Sequence, residues 1–230
     1  MALLPPPFSL YPIRVPRLPE PLPPCPYRFP DPRTADADGL VAEGGDLEPS
    51  TIVAAYRAGI FPWPHGDREL LWFSPDPRAI LPIDGLHVSR RLARTLRSAR
   101  FHTTVDTAFR EVIVACAERP EGTWITPGMM AAYIRLHDLG WAHSIETWTD
   151  DGTLVGGLYG LRVGRLFGAE SMFHRATDAS KIAMVRLIGW ALETGLALID
   201  VQMLTPHLAS MGAVEVTREE YLRLVAEAAR

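Results

Sequence analysis

Two polar side chains stand two residues apart inside an otherwise apolar run. The stretch "ALIDVQML" (residues 197–204) reads as a buried strand, yet it carries Asp200 and Gln202. Residues i and i+2 of a strand face the same way. Leu196, Leu198, Asp200 and Gln202 are therefore expected on one face, with Ala197, Ile199 and Val201 on the other. A lone buried carboxylate is costly unless it is hydrogen-bonded or paired, so the pair either caps a neighbouring loop or serves a reaction site. Glu170 in "AESMF" raises the same question. In an unbroken strand Met172 shares its face and Phe167 points away, unless a bend near Gly168 brings the ring round.

The aromatic and cationic residues suggest binding rather than bond-making. Trp63 in "FPWP" and Trp124 in "GTWIT" are held by proline or a helix start. A loop tryptophan suits stacking on a base, because every base offers a π-face; core packing is the competing role. In "VSRRLARTLRSAR", Arg90, Arg94 and Arg97 fall at helical i, i+4, i+7 spacing. The stripe is either a solvated helix face or a phosphate-contacting patch. Lys181 is the only lysine in the chain. His207 could act as a base or sit as a satisfied structural histidine.

Other chemistries find no support. There is no G-x-S-x-G elbow, no P-loop and no G-x-G-x-x-G turn. Cys25 and Cys116 are far apart, and the seven histidines show neither H-x-x-x-H nor H-E-x-x-H spacing. Neither a metal nor a cofactor is expected. Hydrophobic content of 47% and charged content of 22% belong to an ordinary globular chain. No apolar run is long enough to span a bilayer, and the proline-rich head is no signal peptide. A cytoplasmic location with no membrane partner is expected, and nothing demands more than a monomer.

The elements that must position these residues follow from periodicity and punctuation. Residues 1–28 form a proline-rich extension, extended or partly disordered. Ser50 is expected to cap a short helix over Ile52–Tyr56 that stops at Gly59, and "FPWP" and "LWFSPDPR" read as ordered loops. From Arg78 on, "RAILPI", "FHTTVD", "AHSIETWT", "TLVGGLYGLRVG" and "RLFGAESMF" read as strands. Thr126 and Pro127 open a helix that Gly140 ends. "DASKIAMVRLIGWALETG" is a long helix before "LALIDVQ", and a short helix, a strand and a final helix close the chain. The expected class is α+β, with a mixed, mostly antiparallel sheet flanked by helices (residues 77–230) and a small N-terminal domain (residues 29–76).

Taken together and in order, "DGLVAEGGDLEPSTIVAAYRAGIFPW", "LWFSPDPRAIL", "GTWIT", "AHSIETW", "AESMF", "ASK", "LIDVQ" and "HLASMGA" resemble the leucyl/phenylalanyl-tRNA–protein transferases over roughly residues 29–221. The resemblance implies a GNAT-like acyltransferase domain. It also implies transfer of leucine or phenylalanine, with methionine a third candidate, from leucyl-tRNA or phenylalanyl-tRNA to proteins with N-terminal arginine or lysine. The acceptor is thereby marked for degradation. It assigns Asp200 and Gln202 to the reaction, Gln202 accepting a hydrogen bond from the attacking amine and Asp200 orienting it. Phe167, Met172 and Ile199, with Leu158 and Met184, are implied as the side-chain pocket and Glu170 as its mouth. Trp63 and Trp124 would hold the terminal adenosine, and Arg90, Arg94 and Arg97 would meet tRNA phosphates. The chain departs from the family at Ala169, where glycine is usual, at Gly168, and at Val201, which replaces a cysteine. Two rivals remain open: an acyl-CoA-dependent N-acyltransferase, for which "RATDASK" lacks the R/Q-x-x-G-x-G/A pyrophosphate loop, and a non-catalytic tRNA-binding module.

Overall fold

A computed structural model describes residues 17–64, 70–120 and 122–229. Residues 1–16 of the proline-rich extension lie outside the described residues. A three-stranded sheet of order β1-β3-β2 comes first, built from β1 (Leu40–Glu43), β2 (Phe61–Pro62) and β3 (Leu71–Phe73), with α1 (Pro49–Arg57) between β1 and β2. Two of these strands arise from "FPWP" and "LWFSPDPR", which alternation reads as loops. They are too short for alternation to register, and Pro62 sits on an edge strand, the place where a missing N–H is tolerated. The α1 helix also starts before the expected cap. Pro49 takes the first turn, Glu48 is the N-cap without a side-chain bond, and Ser50 lies inside, because proline's fixed φ is already helical.

The seven-stranded sheet runs β10-β4-β9-β8-β7-β6-β5. Its strands are β4 (Arg78–Leu81), β5 (Phe101–Val105), β6 (Ala142–Thr149), β7 (Leu154–Val163), β8 (Leu166–His174), β9 (Leu198–Gln202) and β10 (Val214–Val216). The helices are α2 (Arg90–Arg97), α3 (Phe109–Ala117), α4 (Pro127–Asp138), α5 (Ala179–Thr194), α6 (Pro206–Ser210) and α7 (Arg218–Ala228). All neighbours are antiparallel except β8 and β9. A parallel pair needs a long crossover, and α5 supplies it. This is the α+β, mixed and mostly antiparallel architecture expected from the sequence.

The sheet separates two cores. Below it, α5 brings Met184, Leu187 and Trp190 against Leu158, Phe167 and Ile199. Above it, α1, α3, α4 and α7 bury Tyr56, Phe109, Tyr133, Tyr159 and Tyr221. The motif "HSIET" serves the junction of β5 and α3. His143 Nδ1 lies 2.7 Å from Asp106 Oδ2, and the Ser144 amide donates to Asp106 Oδ1 at 2.9 Å. The buried Glu146 carboxylate accepts from Ser144 and Thr104 and from the amides of Thr107 and Ala108. It thereby faces the N-terminus of α3, whose own N-cap, Ala108, has no side-chain acceptor.

Residues 17–31 cross the back of the molecule. The Glu20 amide donates to Leu139 O at 2.9 Å, Trp141 Nε1 donates to Glu20 O at 2.9 Å, and the Phe29 ring meets Trp72 edge-on at 5.0 Å. Just beyond, Arg33 reaches Glu219 of α7.

Candidate active site

The strand β9 places successive residues in different environments. Its parallel register pairs Phe167 with Ile199 and Gly168 with Asp200, so Ile199 joins the α5 side and Asp200 the tyrosine side. There Asp200 is fully buried and held from three directions. Arg78 donates through Nε to Oδ1 at 2.8 Å and through Nη2 to Oδ2 at 2.6 Å, and Tyr221 Oη donates to Oδ2 at 2.8 Å. Arg78 is itself sandwiched, its guanidinium 4.6 Å from the Phe61 ring and 4.4 Å from the Tyr221 ring. Burial alone would lower the Arg78 pKa, but the Asp200 carboxylate beside it raises it. The charge pair is thus neutral as a unit, and bidentate geometry suits it to a dry interior.

Beyond Asp200 the strand turns. The Gln202 amide N–H donates to Asp200 Oδ1 at 3.0 Å, and Gln202 adopts φ 58°, a left-handed backbone uncommon for a residue with a side chain. The turn breaks the two-residue alternation expected for Asp200 and Gln202. Asp200 points into the polar core, whereas Gln202 and Val201 line a cleft. Hydrogen-bond satisfaction orients the Gln202 side-chain amide with its nitrogen donating to Ala169 O at 2.9 Å and Val201 O at 3.2 Å. That bridge joins β9 to β8 past their last registered pair, and it leaves the carbonyl oxygen Oε1 as the free acceptor of this cleft-lining side chain.

Strand β8 is irregular at the same level. Tyr159 pairs with Ser171 and Gly160 with Ala169, so Glu170 is an extra residue, a β-bulge. The bulge resets the alternation. Met172 therefore shares its face with Phe167, across from Leu158, and not with Glu170. The expected bend near Gly168 lies instead at Glu170. The Glu170 carboxylate receives the Tyr56 hydroxyl, which is also 3.4 Å from Tyr133 Oη. Burial pushes the Glu170 carboxyl up to about 8, while the Tyr56 hydroxyl works in the opposite direction and the Asp200 charge adds to the rise. Arg119 pins the far side of the bulge, its Nη2 donating to Ser171 Oγ at 3.0 Å.

The cleft encloses about 280 Å³, the scale of a small-molecule site. Of the residues singled out in the sequence, Trp63, Trp124, Leu158, Glu170, Met172 and Gln202 meet on its walls. Phe167, Met184 and Ile199 do not reach the surface. They are fully buried behind Leu158, in the core covered by α5, with Phe167 edge-on to Trp190 at 5.6 Å. Arg90, Arg94 and Arg97 are exposed on α2, apart from the cleft. Sequence reasoning missed Arg78, Tyr56, Tyr133 and Tyr221. One signal was available for Arg78, an arginine opening the apolar strand "RAIL", because a buried cation requires an anion.

The arrangement holds a mostly apolar slot, an amide acceptor and two indoles. It offers no activated thiol, since burial pushes Cys116 up to about 12. Among the described residues no group of side chains could hold a metal ion.

A family model described as "Leucyl/phenylalanyl-tRNA protein transferase" matches residues 80–226, and one for the N-terminal domain of the same family matches residues 45–76. Curated relatives carrying that transferase name include proteins of Aromatoleum aromaticum and Anaeromyxobacter dehalogenans. The first is 55% identical over 189 residues, covering 81% of this chain and 79% of the relative; the second is 51% identical, covering 87% of each. A third, from Syntrophobacter fumaroxidans, is 51% identical over 86% of each chain. Among solved structures, L-PGS from Bacillus licheniformis aligns at 14% identity and TM-score 0.39, over 71% of this chain and 55% of that one.

Proposed function

The chain belongs to the leucyl/phenylalanyl-tRNA protein transferase family, and from that premise we propose that it moves leucine or phenylalanine from aminoacyl-tRNA to the α-amine of proteins beginning with arginine or lysine. Residues 29–76 would form the small N-terminal domain and residues 77–230 the catalytic domain. It would work as a monomer in the cytoplasm. No helix among the described residues is long and apolar enough to cross a membrane.

The aminoacyl ester arrives activated, so the protein needs no covalent nucleophile. The amine nitrogen attacks the ester carbonyl carbon, a C–N bond forms, the C–O bond to the ribose breaks, and the amine proton ends on the departing ribose oxygen. A free α-amine has a pKa of about 7.7–8.0, so a usable fraction is neutral near pH 7. The remaining tasks are alignment and stabilisation of developing charge. Gln202 Oε1 accepts a hydrogen bond from the amine and aims its lone pair. Asp200 positions Gln202 through its backbone amide and is itself a positioning residue, because its oxygens already receive Arg78, Tyr221 and that amide. Trp63 and Trp124 flank the terminal adenosine, Leu158 and Met172 receive the aminoacyl side chain in front of Phe167, Met184 and Ile199, and Arg90, Arg94 and Arg97 meet tRNA phosphates.

The observation that carries this reading is the turn at Gln202, which parts an amide acceptor facing the cleft from a carboxylate locked behind it. The test uses purified protein, labelled leucyl-tRNA and a peptide beginning with arginine. Label should pass to the peptide, and Gln202→Ala should lower kcat about 10²-fold with tRNA affinity unchanged. No transfer at any salt concentration would overturn the proposal.

A further inference from the structure

Basic groups that no role above uses lie at and beside the cleft. Lys181, the only lysine of the chain, lies half-buried in the first turn of α5. His207 lines the cleft from α6, and its Nε2 is buried with no partner among the described residues. His174 ends β8, two residues past the cleft-lining Met172. Burial first, then the nearby Lys181 and His174, hold the His207 imidazole below its usual pKa, which places each of those two groups within electrostatic reach of His207. No ion pair among the described residues engages any of them.

The nearest acid on the helix is committed elsewhere. Asp178, the N-cap of α5, turns its carboxylate to Thr95 Oγ1 at 3.1 Å and to Arg91 Nε at 3.8 Å, both on α2. That contact stitches the start of α5 to the arginine helix. Lys181, three residues past the Asp178 that meets α2, therefore stands within electrostatic reach of the cleft-lining His207 and close in sequence to the contact with the arginine helix. In a chain of formal net charge −4, an ammonium ion with no carboxylate partner among the described residues is a local feature rather than background. A cationic acceptor peptide would be repelled by it, whereas a phosphodiester chain would be drawn to it.

We infer that Lys181, flanked by His174 and His207, binds a backbone phosphate of the single-stranded 3′ end of the tRNA and guides that strand from the α2 arginines into the cleft. This rests on the aminoacyl-tRNA reading above. The ammonium ion supplies the charge, and His207 Nε2, where it carries a proton, supplies a directed donor to a phosphate oxygen.

The experiment measures binding of deacylated tRNA to the full chain across a salt series, with transfer kinetics in parallel. One phosphate contact on a single strand accounts for about 0.7 of the slope of log K against log salt. Lys181→Gln should flatten the slope by that amount, weaken binding about 3- to 10-fold at low salt, and raise KM for aminoacyl-tRNA with kcat retained. Lys181→Arg should restore the slope, which a purely packing role would not do. An unchanged slope in Lys181→Gln, with wild-type transfer intact, would overturn this inference and leave the proposed function standing. A wild-type protein that neither binds tRNA nor transfers would overturn both.

Discussion

The two sides of the central sheet solve opposite problems with the same few residues of β8 and β9. Toward α5, Phe167 and Ile199 meet Met184 and Trp190 in an apolar cluster. Toward α1 and α7, Gly168 and Asp200 meet Tyr56, Arg78 and Tyr221, where a carboxylate and a guanidinium are both wholly buried. One residue along the chain separates these environments. The lesson is that the cleft is neither core: it opens past the last β8–β9 pair, at the bulge at Glu170 and the turn at Gln202, and each core supplies one wall. The apolar side sets what fits, and the polar side sets where the amide points.

Removing the polar side's key charge should break that division most severely. Asp200→Ala leaves the Arg78 cation buried without its partner, and the expected loss is ~3–5 kcal/mol in urea unfolding. Converting that side to apolar packing, with Arg78→Met and Asp200→Leu together, should cost much less, since a well-packed apolar substitute often matches a buried ion pair. Equal losses would mean that shape, rather than charge, is what the site requires. Gly168→Ala probes the boundary itself. A Cβ there would lie 2.5 Å from Tyr56 Cε1, and the expected penalty is ~1–3 kcal/mol, with the Tyr56 contact to Glu170 displaced. A variant as stable as the parent would show that α1 can move away freely.

A further effect appears as a trend with pH. Burial holds the Glu170 carboxyl at about 8, against about 4.3 in an unfolded chain. Between those values the unfolded chain has released a proton that the folded protein keeps, so stability falls as pH rises. Glutamine has no such proton. The Tm of Glu170→Gln should therefore gain on the wild type between pH 5 and pH 8, and a constant gap would show that Glu170 is ionised in the folded state.

Much of this was legible in the residues, and the failures have physical causes. The helix opened by Thr126 and Pro127 ends with Gly140 at φ 81°, because capping chemistry is local. The antiparallel meander and the helix before β9 follow from patterns that need no distant partner. The two polar residues of β9 were found for the right reason, that buried polarity needs a purpose, but were given one shared face. That failed because the Asx-like bond from the Gln202 amide to Asp200 turns the backbone, which strand periodicity does not encode. Met172 was placed on the wrong face because one inserted residue in β8 reverses every side chain beyond it. The partners Arg78 and Tyr221 stand 122 and 21 residues from Asp200, a separation that no local pattern spans.

The strap of residues 17–31 has a consequence for how the molecule can be watched. Six of its fifteen residues are proline, which carry no backbone N–H. Amide hydrogen exchange therefore samples it only partly, although it ties the end of α4 to the first sheet. Its attachment is best reported by the Trp141 indole proton, which is bonded to Glu20 O. Slow exchange of that single proton would mark the strap as seated, and rapid exchange would mark its release, while the strands beneath it keep their protection.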